Sequence, residues 1–318
     1  MNVSAAKRLL KPLLALACFA LLAWMVLQAG PRQLWQTLCT LPLTIALCVV
    51  VWGVGYLLCA VSFRQVIIGV GYRPSYLSVL GITISGYAIN YITPFGLLGG
   101  EPYRVVRLRP LMGTEHATQC VVLYSMMHVA SHFCFWIIAA VAAALTLGAR
   151  AQGGVAVSWW LLAVAVVCGA LLLLFWRLFR RGIAPRFMSR WVNWPLLRAS
   201  LLAPRRCVTA LLLELLSRLV NVIEYWLIMQ AMGYASFTYV DALLVVAFSS
   251  LLANILFFSP LQMGTREGGI LLALQYLLRA TLMPVALTLS FATRIREFVW
   301  IIIGLVIALL NKTKTSTR

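Results

Sequence analysis

Only seven carboxylates occur in 318 residues, and two of them occupy matching places in two similar stretches. The first reads Asn90-Tyr-Ile-Thr-Pro94-Phe-Gly96-Leu-Leu-Gly99-Gly100-Glu101-Pro102-Tyr-Arg104, and the second runs from Asn254 through Pro260, Gly264, Arg266 and Glu267 to Gly269. In both, an Asn lies upstream, Gly residues intervene, and a Pro precedes the Glu by seven positions. The two prolines are 166 residues apart, as are the two glutamates. Arg104 and Arg107 follow Glu101, and Arg266 adjoins Glu267. Such a mixed cluster could cradle a lipid headgroup, an arginine fork engaging phosphate while helix N-termini add positive potential. The plainer alternative is that each Glu pairs with a neighbouring Arg or caps exposed amides at a helix start.

Further ionisable residues lie inside apolar runs, where a charge costs about 2.5 to 3.5 kcal/mol on insertion scales and normally faces a partner or a cavity. Glu214, Arg218, Asn221 and Glu224 recur at spacings of four, three and three, so they share one helical face. They read either as a structural network or as a polar wall of a pathway, with Arg218 and Glu224 as candidate headgroup contacts. In the last apolar run Arg294 could face the same site, whereas the neighbours Arg296 and Glu297 should point differently. His128 and His132, four apart with His116 and Cys120 upstream, have a spacing that could bind zinc. No carboxylate second shell is evident in that segment, and with Tyr124, Ser125 and Ser131 they read as a polar helix face. No metal, cofactor or catalytic residue is therefore assigned.

The elements that must position these groups are membrane helices. The chain is 63% hydrophobic and 10% charged, with a mean hydropathy of +0.96, beyond any soluble domain. Its net charge of +19 sits mostly between apolar runs, as topological positive-inside charge and as attraction for anionic headgroups at the cytoplasmic face, rather than as a nucleic-acid surface. Eight singly scattered cysteines argue for neither disulfides nor metal. Lys7, Arg8 and Lys11 precede the run Leu13 to Ala29, read as an uncleaved first helix with a cytoplasmic N-terminus. A span follows from about Leu43 to Phe63, then a segment Tyr76 to Thr93 that leads into the first motif.

If that segment crossed fully, Arg104, Arg107, Arg109 and the eight arginines of 177–206 would lie outside. Read as a re-entrant hairpin, it keeps both clusters cytoplasmic, as short-loop charge bias demands. Segments 117–147, 157–176, 207–232 and 239–259 then alternate, with 177–206 an interfacial basic connector. The last span, 287–310, ends inside before Lys312, Lys314 and Arg318. The first hairpin opens to the cytoplasm and the second to the outside. The expected fold is all-α and polytopic, about eight segments in one membrane domain over 1–318, with inverted repeats at about 43–147 and 207–310. Broken segments at membrane depth survive only inside protein or against water, and inverted repeats in transporters place a substrate near the midplane.

The run Asn90 to Leu108, with Pro94, Gly99, Gly100, Glu101 and Arg104, followed by Pro260, Gly264, Glu267 and Arg294, resembles the transmembrane region of lysylphosphatidylglycerol synthases, a family also described as flippase-like. The resemblance covers nearly the whole chain and implies a lipid translocator of the bacterial cytoplasmic membrane, with Glu101, Arg104, Glu267 and Arg294 lining the pathway. The chain departs from the family at Tyr124-Ser125-Met126-Met127, where an acidic-Arg pair is frequent, and at Gln262 to Arg266. It also lacks the soluble aminoacyl-transferring domain, so synthesis of the lysyl-lipid is not expected. A metal-dependent transferase would need clustered acids, yet Asp241 is the sole Asp. A metal-free transferase acting on a polyprenyl- or hopanoid-linked lipid, and a lipid-binding scaffold, remain the alternatives. The lipid, the driving force and the choice between monomer and homodimer stay open.

Overall fold

The computed structural model describes residues 31–93, 99–150, 204–255, 265–278 and 283–313, together with 27, 163, 165–170, 172–174 and 177. Pro94, Pro260, Gly264 and nearly all of the basic connector lie outside these. Eight helices are described: α1 Pro31–Thr40, α2 Pro42–Gly69, α3 Tyr76–Ile92, α4 Gly100–Arg150, α5 Pro204–Ala231, α6 Tyr239–Ile255, α7 Thr265–Leu278 and α8 Met283–Thr313. No strand occurs among the described residues.

Local chemistry sets the helix limits. Pro42 occupies the first turn of α2, where its missing N–H costs nothing. The Ser75 hydroxyl accepts from Ser78 N at the start of α3. At α6 the Thr238 hydroxyl accepts from Asp241 N while Asp241 Oδ2 accepts from Thr238 N at 2.9 Å, a reciprocal cap that accounts for Asp241. Within α4, Gly113 has φ 78° and ψ 169°, a conformation that excludes most side chains and breaks the helix in two. The segment expected at 117–147 is thus the second limb of a longer element, whose first limb carries Arg104, Arg107 and Arg109. The expected span at 43–63 extends to Gly69, and the last span begins at Met283.

The exposed faces are apolar, and charged side chains are buried among the apolar cores. Leu43, Leu47, Val50, Val54 and Leu57 form an exposed stripe on α2, and Val208, Leu212 and Leu216 another on α5, whereas Arg104, Glu214, Glu224 and Arg296 are buried. Helices α2 and Gly100–Thr146 of α4 are long and apolar enough to cross a bilayer. With the composition, this arrangement is that of an all-α membrane protein.

The neighbours of each helix follow a pattern. Helix α2 packs against α5, α3 against α8, and α6 against α4. Contacts α3–α4 and α6–α7, α2–α3 and α5–α6, and α2–α8 and α5–α4 belong to it, whereas α1, packed on α2 and α8, stands outside it. Exchanging α2 with α5, α3 with α6, and α4 with α7 plus α8 leaves this set unchanged. Helices α2 and α5 are both 28 residues long, and a left-handed glycine, Gly71 or Gly233, follows each. The α3–α8 seam is close: Ser85 Oγ donates to Gly304 O at 3.0 Å, and a side chain at 304 would strike Ala88 and the Ile84 carbonyl.

Candidate functional site

At the end of α3, Asn90 Oδ1 accepts from Gly100 N at 2.6 Å, tying the two sides of the first motif together. Glu101 follows in the first turn of α4. Its Oε1 lies 2.7 Å from Arg104 Nη1, and its Oε2 accepts from Ser125 Oγ at 2.9 Å, across the Gly113 break. The Arg104 guanidinium is sunk among rings, 4.7 Å from the Tyr87 centroid, 5.1 Å from Tyr124 and 5.9 Å from Phe63. Its Nε and Nη2 are buried without a hydrogen bond. Gly86 makes this possible, because a Cβ there would stand 2.6 Å from Arg104 Nε.

Tyr87 and Tyr124 connect this pair to α5. Their hydroxyls share a hydrogen bond at 3.0 Å, and Tyr87 Oη lies 3.2 Å from His128 Nδ1. His128 Nδ1 also lies 2.8 Å from Glu214 Oε2. Arg218 Nε donates to Ser131 Oγ at 2.7 Å, and its Nη2 donates to His128 O at 3.1 Å. The stripe on α5 is therefore shared out. Glu214 and Arg218 engage α4, and Glu224, ten residues after Glu214, engages α8.

Glu224 and Arg296, each wholly buried, form a bidentate pair with both bonds at 2.8 Å. Trp52 Nε1 donates to the same carboxylate at 2.5 Å, and its ring lies 3.6 Å under the Arg296 guanidinium carbon. Arg266 pairs with Glu297 and donates to Tyr225 Oη at 3.2 Å. Glu267 Oε1 accepts from Arg294 through Nε at 3.0 Å and again through Nη2, and from Ser290 Oγ at 2.8 Å. Each motif glutamate thus holds one arginine and one serine. Three helices, α5, α7 and α8, are cross-tied by charge in the second half.

The family model for the lysylphosphatidylglycerol synthase transmembrane region matches residues 9–307. The chain belongs to that family. No curated protein matches it. Membership in the lysylphosphatidylglycerol synthase transmembrane-region family gives the buried charges a membrane, lipid-related setting, in which an ionic group inside a helix is costly and needs a partner or a cavity.

Among the family-motif residues, Asn90, Gly100, Glu101 and Arg104 come together, as do Glu267 and Arg294. Pro94, Pro260 and Gly264 lie outside the described residues. One expectation needs correction. Arg266 does not pair with its neighbour Glu267, because adjacent residues on a helix point apart; its partner is Glu297. Arg296 and Glu297 have different main partners, yet Arg296 Nη1 still lies 3.7 Å from Glu297 Oε1. Glu224 is separated from Arg218 by its commitment to Arg296. Asn254 is exposed, and its Nδ2 donates to Ser250 O of its own helix at 2.7 Å, unlike Asn90. Among the described residues no three His, Cys, Asp or Glu side chains could hold a metal.

Tyr87, Trp52 and Ser290 were not singled out from sequence, and His128 was assigned only to a polar face. One signal could have found part of this. The 166-residue offset that relates Glu101 to Glu267 also relates His128 to Arg294, and Ser125 precedes Ser290 by 165.

Proposed function

We propose that this protein moves a lipid with a charged or glycosylated headgroup between the leaflets of a bacterial cytoplasmic membrane, both termini being cytoplasmic. The observation that carries this reading is the matched placement of Glu101 and Glu267, each joined to an arginine and a serine where a broken segment meets a helix start. A headgroup drawn from water into such a site exchanges hydration for charge-assisted hydrogen bonds. Each internal Arg–Glu pair can open to offer one cation and one anion, and closes again when the headgroup leaves. Arg104, with two donors unmet, has capacity for an acceptor without first breaking its bond to Glu101. The helix contacts that survive exchange of the two halves support a repeat, and the charge bias of the loops supports its inversion, with access alternating between the cytoplasmic and outer hairpins.

Purified protein in liposomes bearing headgroup-labelled lipids tests the reading. Transfer between leaflets with no covalent change is the expected result. New lipid species would establish a membrane-embedded transferase instead, and tight binding without either would establish a scaffold.

A further inference from the structure

We propose that His128, set between Glu214 and Arg218, is a proton-binding site that ties movement of α4 against α5 to proton flow across the membrane. This deepens the translocator reading and rests on it for the link to lipid movement.

The arrangement fixes the hydrogens. Arg218 carries only donors, and its Nη2 lies 3.2 Å from His128 Nε2 and 3.3 Å from Nδ1. Glu214 Oε2 stands 2.8 Å from Nδ1. Arg218 Nη2 is nearly equidistant from the two ring nitrogens and so lies off the lone-pair axis of each, while the carboxylate at Nδ1 selects the neutral tautomer with its proton on Nδ1 and a free lone pair on Nε2. Adding a proton at Nε2 places a second cation against the guanidinium, which is 3.2 Å away. Arg218 then has somewhere to go. Glu214 Oε1 is buried and accepts no hydrogen bond, and it lies one turn away on the same helix, at the i,i+4 spacing that favours such a pair. The two proton states thus correspond to two arrangements, one with Arg218 on His128 and one with Arg218 on Glu214.

The surroundings suit an exchange with water. His128 retains 18% exposure while Glu214 has 1%. From α3 the Tyr87 hydroxyl faces His128, and from α4 Tyr124 and His132 stack near it at ring distances of 6.3 and 5.3 Å. Arg104 lies beyond the two tyrosines, against their rings. From α5 come Glu214 and Arg218. A proton taken up at Nε2 from one aqueous side and released to the other leaves the protein unchanged after each cycle, so no further reactant is needed. Ionisable chains within membrane helices commonly serve this purpose.

The full chain, 15N-labelled at histidine and arginine and held in lipid nanodiscs, supplies the test by solid-state magnetic resonance from pH 8.5 to 4.5. His128 is assigned by its loss in His128→Gln. The expected result is conversion of a neutral Nδ1–H ring to imidazolium, with the Arg218 guanidinium resonance shifting at the same midpoint and Glu214→Gln abolishing the Arg218 shift. A His128 that stays neutral throughout, or titrates while Arg218 does not respond, would overturn the proposal. In proteoliposomes, an imposed pH gradient should speed lipid transfer about tenfold in the wild type and leave the ratio near one in His128→Gln. If no lipid moves under any gradient, the translocator reading fails, while the resonance titration still decides the proton site. A gradient without effect on active protein sinks the coupling alone.

Discussion

The two motif glutamates are held in different ways. Glu101 is paired with Arg104 three residues on in the same helix, and that arginine is packed in aromatic rings. Glu267 is paired with Arg294 on another helix, beside two further ion pairs, Arg266–Glu297 and Glu224–Arg296, that join α5, α7 and α8. An intrahelical pair travels with its helix, so the start of α4 can shift without breaking Glu101–Arg104. A cross-helix pair must break before α7 leaves α8. The difference teaches that symmetry of position does not imply symmetry of attachment: ion pairs fasten the second motif to α8, whereas the first is held to its neighbours by the Asn90 and Ser125 hydrogen bonds and by the rings around Arg104.

The largest effect should come from the most deeply buried tie. Glu224→Ala removes both hydrogen-bonded contacts of the buried Arg296, leaving it only Glu297 at 3.7 Å, and should cost about 3–5 kcal/mol. The double change Glu224→Leu with Arg296→Met should restore most of that, as followed by unfolding in mixed detergent micelles. A Glu224→Ala protein as stable as wild type would mean that the second half is not fastened by charge. Next, Arg294→Ala removes charge-assisted bonds worth about 1.5–3 kcal/mol, discounted because Glu267 is 22% exposed. Amide exchange over 265–278 should rise by roughly tenfold or more, whereas Glu101→Gln should change exchange at the start of α4 only slightly. Equal responses would erase the contrast between the halves.

Much of the fold could be read from hydropathy, because α3 and α6 are predominantly apolar runs with clear polar ends at Ser75 and Thr238. The break at Gly113 could not, since a lone glycine after Pro110 is compatible with a continuous helix. The site was legible where repetition carried it, at Glu101 and Glu267. Partner choice was not legible. Nothing in the order Arg266-Glu267 indicates that each turns to a different residue of α8, and the α5 stripe reads as one face although α5 lies between α4 and α8 and divides its charges among them. His128 lacked a carboxylate in its own segment because Glu214 comes from 86 residues later.

Smaller effects sharpen the account of the first half. Gly86→Ala pushes a methyl group against the Arg104 guanidinium and should cost about 1–3 kcal/mol by overpacking; a neutral result in the same unfolding assay would show that Arg104 has room to retreat. Ser125→Ala removes one hydrogen bond from Glu101, and about 0.5–1.5 kcal/mol is expected.

Sided cysteine labelling tests the opposed motifs most directly. Arg109 and Ser236 are exposed, and the proposed topology puts them at the open ends of the two hairpins. Each is changed to cysteine in an active protein without its native cysteines, in sealed vesicles of known orientation, and treated with an impermeant maleimide. The account predicts that position 109 reacts only from the cytoplasmic side and position 236 only from the outside. Reaction of both from the same side would contradict inverted repeats and remove the structural basis for alternating access.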